Sequence, residues 1–249
     1  LVDDAHQDAF FTSANMKENM SWTIKSGSEV VAQAIVAELD KAETSIDIAS
    51  GHMRSKTIYD ALVRIAQDPN KNVRIRVYLD GQEYTAGAYK AYYGYRLHKA
   101  GIDVRFKYYA YRWDYTYAPQ MHNKYLIIDG KTLLSGSYNL SDNAELGSME
   151  NVVRIGGAAF AKLMPRYKAD FERLWNTEID GQALAALKQK IATANSIPLV
   201  FKAMALTHPQ VKELKELIEK HCPAADRDSD DYDPDYGKNP SRHKSCPRQ

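Results

Sequence analysis

Apolar and polar residues repeat along this chain with two periods, and the period switches at regular intervals. Residues 28–43, SEVVAQAIVAELDKAE, put Val31, Ile35 and Leu39 on one stripe of a helix that Ser28 is placed to cap. Residues 44–49, TSIDIA, change to the period of two that marks a strand, with Ile46 and Ile48 on one face. A loop, SGHMR, leads to a helix from Ser55 with Ile58, Leu62 and Ile65 inward. NVRIRVYLD alternates Val73, Ile75, Val77 and Leu79 with polar and charged residues and predicts a strand. A helix over about 86–100 ends at Gly101, which suits a C-cap, and IDVRF predicts the next strand.

Such alternation is the pattern of parallel strands covered by helices. KYLIID, bounded by His122 and Gly130, is the apolar run of a buried central strand. Asp129-Gly130 then makes a tight turn into KTLLSGS, which predicts a hairpin, and NVVRIG predicts a further strand. Residues 158–176 form an amphipathic helix with Phe160, Leu163, Phe171, Leu174 and Trp175, interrupted or entered at Pro165. The fold class expected is α/β, a mixed sheet flanked by helices on both faces. After Asn176 the character changes: two helices over 180–194 and 209–221 are joined by a Pro-containing loop, and 223–249 has no periodicity. The expected organisation is a main domain over 1–178 and a C-terminal helical extension with an irregular tail over 179–249. Residues 1–27 read as a polar segment with an early aromatic pair at Phe10 and Phe11, and no element is predicted there.

At 249 residues the chain can bury a sizeable core without staples, and its net charge of +1 neither demands nor excludes a polyanionic partner. No apolar run approaches the roughly 20 residues needed to span a bilayer. Residues 1–10 are polar and acidic, with no signal-peptide pattern, and a start at Leu1 reads as a processed or trimmed chain. The two cysteines, Cys222 and Cys246, do not have zinc-site spacing. A disulfide between them is expected, and with it an oxidising compartment, periplasmic or secreted. The acidic run DRDSDDYDPDYG departs from the ligand spacing of a calcium loop and reads as a solvated segment.

The stretch that carries chemistry is HNKYLIIDGKTLLSGSYN, residues 122–139. His122 and Lys124 stand two apart at the head of a strand, so an imidazole and an ammonium share a face. Gly136 and Ser137 end the paired strand, and Asn139 follows; the hairpin returns that end beside His122. One face then gathers a cation suited to phosphate oxygens, two neutral hydrogen-bonding groups, and an imidazole free to attack or transfer a proton.

This spacing, His122-x-Lys124, four residues, Asp129, six residues, Gly136-Ser137, resembles the signature of the phospholipase D superfamily. The resemblance extends to Asn139, to Glu150-Asn151 before the next strand, and to the element order from about residue 28 to Trp175. Within the superfamily it is to the small bacterial endonucleases with one motif per chain. No second His-x-Lys-x4-Asp occurs, and His98-Lys99 and His243-Lys244 have the wrong spacing. The resemblance therefore implies a homodimer with one composite site. It implies that one His122 attacks phosphorus to form a phosphohistidine while the other protonates the leaving oxygen and then activates water. Lys124, Ser137 and Asn139 would hold the non-bridging oxygens. Glu150 would orient an imidazole, and Asp129, at the far end of the strand, would support structure. The scheme uses no metal and no cofactor. His52, in the loop after the first strand where the family lines its pocket, is read as a loop residue rather than a ligand.

The motif leaves the substrate open among nucleic acids and phospholipids. Residues 84–117 are rich in aromatics and cations: Tyr84, Tyr89, Tyr92, Tyr93 and Tyr95 on or near a helix, then Tyr108, Tyr109, Tyr111, Arg112, Trp113, Tyr115 and Tyr117 leading into the motif. Arg96, Lys99, Arg105 and Lys107 are interleaved. Stacking faces with cations suit single-stranded nucleic acid, and Tyr109, Tyr111, Arg112, Trp113 and Tyr115 are the candidate contacts. Tyrosines at helical spacing also fit core, interface or membrane surface. The expectation is a nuclease acting on DNA or RNA. A phospholipase D acting on head groups is the alternative, and a non-catalytic nucleic-acid-binding module the second.

Overall fold

The computed structural model describes residues 7–16, 27–81, 83, 93–108, 121–157, 160–177, 181–194 and 204–221. Its strands are β1 (Gln7–Phe11), β2 (Ser45–Ser50), β3 (Met53–Arg54), β4 (Arg74–Asp80), β5 (Asp103–Tyr108), β6 (Lys124–Ile128), β7 (Thr132–Gly136), β8 (Leu140–Ser141), β9 (Asn151–Ile155) and β10 (Met204–Thr207). Its helices are α1 (Val30–Leu39), α2 (Lys56–Gln67), α3 (Tyr93–Lys99), α4 (Asp142–Gly147), α5 (Met164–Trp175), α6 (Gly181–Ala194) and α7 (His208–His221).

An eight-stranded sheet runs in the order β1-β9-β7-β6-β2-β4-β5-β10, and β3 and β8 pair separately. Strands β2, β4 and β5 are parallel neighbours; every other pair in the large sheet is antiparallel. The parallel half follows from helical crossovers and the antiparallel half from the β6–β7 hairpin. The fold is thus α/β with a mixed sheet and helices on both faces.

Strand β6 shows how the faces are divided. Leu126 and Ile128 enter the larger core with Ile35, Leu39, Leu62 and Ile65 from α1 and α2. Tyr125 and Ile127 enter the smaller core with Phe171 and Trp175 from α5. Each such fully buried side chain contributes roughly 1.5–3 kcal/mol. Between the sheet and α5 lies a charged layer. Arg76 donates to both Asp47 oxygens at 2.6 and 2.9 Å and to Glu172 at 2.6 Å, with Phe171 4.7 Å from its guanidinium carbon. Burial opposes the Arg76 charge, but these hydrogen bonds outweigh it and raise its pKa.

Several elements differ from expectation. Ser28 does not cap α1; Glu29 occupies that position without a side-chain bond. The free N–H groups are met from elsewhere: Asn15 accepts from Val30, and the buried Glu145 accepts from Val31 and Ala32. Those partners are 15 residues away or more, out of reach of a local rule. Helix α5 starts at Met164 rather than near 158, because Pro165 occupies the first turn, where its missing N–H costs nothing. Of the helix expected over 86–100, Tyr93–Lys99 is described and residues 86–92 lie outside the described residues. Strands β1 and β10 are both edge strands and neither was expected. The C-terminal segment joins the same fold: β10 pairs with β5, and Leu184, Leu187, Ile191, Val211 and Leu214 belong to the larger core. Cys222 and Cys246 lie outside the described residues.

Candidate active site

The C-terminal ends of β2, β4, β5 and β7 and the N-terminal ends of β6 and β9 meet at one end of the sheet. His122 precedes β6 and is exposed, and Lys124 opens the strand directly opposite Ser50 of β2. The Lys124 ammonium donates to the carbonyl oxygen of His122 at 2.9 Å. On the other side, Gly136 pairs with Val152 of β9. A Cβ at Gly136 would fall 2.1 Å from the Asn151 carbonyl oxygen, so only glycine permits this approach. The approach sets Ser137 against Asn151: the Ser137 amide donates to the Asn151 carbonyl at 3.1 Å, and the Asn151 amide donates to the Ser137 oxygen at 3.1 Å. The Asn139 side-chain oxygen is buried without a hydrogen-bond partner among the described residues.

Electrostatics follow from this crowding. Burial, then the Lys124 charge, then His52 hold the His122 imidazole below its ordinary pKa, against a small opposing effect of Asp80. Burial likewise lowers Lys124, with Glu150 working the other way. Within one chain, therefore, the Glu150 carboxylate acts on Lys124, and no hydrogen bond joins it to His122 among the described residues. Thr12 fixes the Glu150 backbone, its hydroxyl accepting from the Glu150 amide at 2.7 Å.

Asp129 stands at the opposite end of β6. It occupies the left-handed region, φ 52°, in a turn with Gly130 at 61°. Its carboxylate accepts from the backbone amides of Glu43, Thr44 and Ser45 and from the Thr44 hydroxyl. Burial alone would raise its pKa, but those bonds outweigh it and hold the carboxyl below its usual range.

His52, which acts electrostatically on His122, and its partner Glu83 fell outside the sequence-based site. His52 donates or accepts through Nδ1 at 2.8 Å from Glu83, whose carboxylate is buried and also bonded by Arg54. Both positions lie just past the ends of adjacent parallel strands, β2 and β4, which is where sites gather in such sheets. That rule was the available signal. The aromatic segment divides: Tyr93 stacks on Tyr59, Tyr95 packs on His208, and Arg105 lies over Trp175 while donating to its carbonyl. These three are engaged in packing. Tyr109, Tyr111, Arg112, Trp113 and Tyr115 lie outside the described residues.

A family model described as cardiolipin synthase, PLD-like domain, matches residues 35–175. The chain belongs to this phospholipase D-like family. It is similar to a mitochondrial cardiolipin hydrolase of Chlamydomonas reinhardtii, 32% identical over 139 residues, covering 55% of this chain and 54% of that protein. A phospholipase D of Rickettsia prowazekii is 31% identical over 121 residues, 49% of this chain and 52% of that one. The chain spans about half the length of the curated relatives it matches. Among solved structures, the phospholipase D family member Nuc from Salmonella typhimurium aligns with a TM-score of 0.52 at 22% identity, covering 68% of this chain and 93% of that one. NucT from Helicobacter pylori aligns with a TM-score of 0.50 at 16% identity, covering 67% and 93%. These two likenesses show the fold.

Proposed function

We propose that the protein is a metal-independent phosphodiesterase that cleaves nucleic acid, DNA first and RNA as well, with single strands favoured. The observation that carries the chemistry is the meeting of His122, Lys124, Ser137 and Asn139 at one sheet end. The neutral His122 of one chain, its pKa lowered by its surroundings, attacks phosphorus as the bond to the leaving oxygen breaks; the other chain's His122 protonates that oxygen and then activates the water that hydrolyses the phosphohistidine. Lys124 places its charge on the non-bridging oxygens, with Ser137 and Asn139 as neutral partners. A second copy of the chain supplies the other His122 and Lys124, since each chain carries one motif. Glu150, the residue before β9, acts against the lowering of the Lys124 pKa.

The polynucleotide reading is supported by the sequence next to the motif. Strand β5 ends at Tyr108, and residues 109–120 separate it in sequence from Met121 and His122. That segment carries the stacking and cationic residues suited to bases and phosphates. Phospholipid head-group hydrolysis is the second reading, supported by the similarity to a mitochondrial cardiolipin hydrolase and a phospholipase D.

The test is turnover in excess EDTA on single-stranded DNA, duplex DNA, RNA, phosphatidylcholine vesicles and cardiolipin vesicles. Nucleic-acid cleavage with intact vesicles is expected. Head-group release with intact nucleic acid would replace the first reading by the second. No turnover of any substrate would remove both.

A further inference from the structure

The catalytic end of the sheet is asymmetric about Lys124. Toward β7 and β9 it presents the neutral groups of Ser137 and Asn139. Toward β2, β4 and β5 it presents His52 and Arg54, both bonded to the buried Glu83, and Lys107, 3.6 Å from Asp80.

His52 is the most firmly built of these. The turn that carries it is fixed at both ends. A Cβ at Gly51 would lie 2.7 Å from the Met121 carbonyl oxygen, so this backbone rests directly on the residue before His122. Met121 is itself held, its amide donating to Asp80 at 2.7 Å. The Ser50 hydroxyl donates to the His52 carbonyl at 2.8 Å. The imidazole bonds through Nδ1 to Glu83, whose side chain is 1% exposed, while that of His52 is 31% exposed. Burial works against the Glu83 charge, yet hydrogen bonds from His52 and Arg54 outweigh it and keep the carboxyl below its usual range. An ionised carboxylate at Nδ1 fixes that nitrogen as the donor and leaves Nε2 as the nitrogen on the open side.

Ser50 lies opposite Lys124, and His52 follows two residues later. Adjacent strands are about 5 Å apart, which puts His52 one or two strand spacings, roughly 5–10 Å, from a phosphate held by Lys124. The electrostatic effect of His52 on His122 agrees with this proximity. The span is too wide for the same phosphate oxygens to be shared with comfort, and it suits the next anionic group along a polymer.

We infer that His52, presented by Glu83, binds a second phosphate of the substrate, the one adjoining the scissile phosphodiester. The inference rests on the polynucleotide phosphodiesterase reading and adds a reason for it: a chain of diesters carries that second phosphate wherever it is cut internally. Glu83 acts through His52 and is a positioning residue.

The experiment compares kcat/KM of the full chain on two thymidine dinucleotides, one bare and one phosphorylated at both ends, with bis-p-nitrophenyl phosphate as a reporter of the chemistry. All reactions contain EDTA. In the wild type the flanked dinucleotide is expected to be preferred by about ten-fold or more, the scale of one charge-assisted contact. In His52→Ala that preference collapses toward one, and His52→Arg restores part of it. Glu83→Gln, which keeps the shape but weakens the hold on the ring, lowers it as well and serves if the alanine variant does not fold. An unchanged preference in these variants, or no preference in the wild type, overturns the inference while leaving the phosphodiesterase reading intact. Failure of the wild type on all three compounds overturns that reading, and the inference falls with it.

Discussion

The ammonium of Lys124 is turned onto the carbonyl oxygen of His122, 2.9 Å away, so the two residues of the motif are joined within one chain. A carbonyl is a weaker partner for an ammonium than a phosphate oxygen, and exchange of one for the other costs little. The pair is therefore poised rather than locked. Replacing His122 by Ala is expected to abolish turnover, and Lys124→Met to lower kcat by about 10²–10³-fold, the scale of one lost charge-stabilising donor. Both proteins are expected to keep the wild-type circular-dichroism spectrum. Turnover of bis-p-nitrophenyl phosphate by His122→Ala at the wild-type rate would exclude the phosphohistidine.

The pH dependence should carry the mark of the same crowding. Attack requires the neutral imidazole, and burial, Lys124 and His52 all disfavour the protonated form. The acidic limb of kcat/KM is expected to fall below the ordinary histidine value of about 6.5. Removing the neighbouring charge in Lys124→Met should shift the limb upward, toward that value, in the residual activity. A limb at the same pH in both proteins would show that Lys124 does not act on the nucleophile.

The motif was legible because its geometry is local. His122 to Ser137 is one hairpin, and hairpin spacing alone places its two ends together. The alternation over 74–80 and the continuous apolar run over 124–128 were legible for the same reason: burial on one face or on both writes itself into consecutive residues. What was not legible depends on distant pairing. Strands β1 and β10 lie at the sheet edges and are defined by partners on β9 and β5 that the chain reaches through more than 90 intervening residues. Glu145 satisfies the start of α1 across 113 positions, and no sequence rule near Ser28 reveals it. Glu83 reaches His52 only because β2 and β4 are parallel neighbours. In the aromatic stretch, Tyr93, Tyr95 and Arg105 have the composition of a binding surface, yet their partners Tyr59, His208 and Trp175 engage them in packing.

Asp129 ties the turn after β6 to the loop before β2, and it does so from a left-handed backbone that a non-glycine residue adopts only at some cost. Four donors converge on its carboxylate. Asp129→Ala is expected to lower the unfolding free energy by about 2–3 kcal/mol, as when bonds to a charged acceptor are lost. Because the residue is at the far end of β6 from His122, kcat of the folded fraction should stay near wild type. The contribution is present above the unfolded carboxylate range and is lost as pH falls through the lower folded value. Urea titrations at pH 7 and pH 3 check both statements: the difference between the two proteins should shrink at pH 3. A difference of the same size at both would remove the carboxylate's charge from the account.

The C-terminal helices are held by a contact that should loosen in acid. His208 opens α7, is 8% exposed, and stacks on His98 of α3 with ring centroids 4.0 Å apart. Tyr95 packs beside it, and Lys99 and Lys212 face it. Burial first, then the charges of His98, Lys99 and Lys212, lower its pKa to about 4. Burial and Lys99 lower His98 as well, with Asp103 opposing. An unfolded imidazole titrates near pH 6.5, so between about 6.5 and 4 the unfolded chain binds a proton at position 208 that the folded chain refuses. Full stability is therefore present above pH 6.5 and declines as pH falls through that window, by roughly 3 kcal/mol at most. In His208→Gln this part of the decline disappears. Urea titrations of both proteins at pH 7.5 and 4.5 test it, and equal losses in the two would show that the stacked pair does not set the acid sensitivity of the α3–α7 contact.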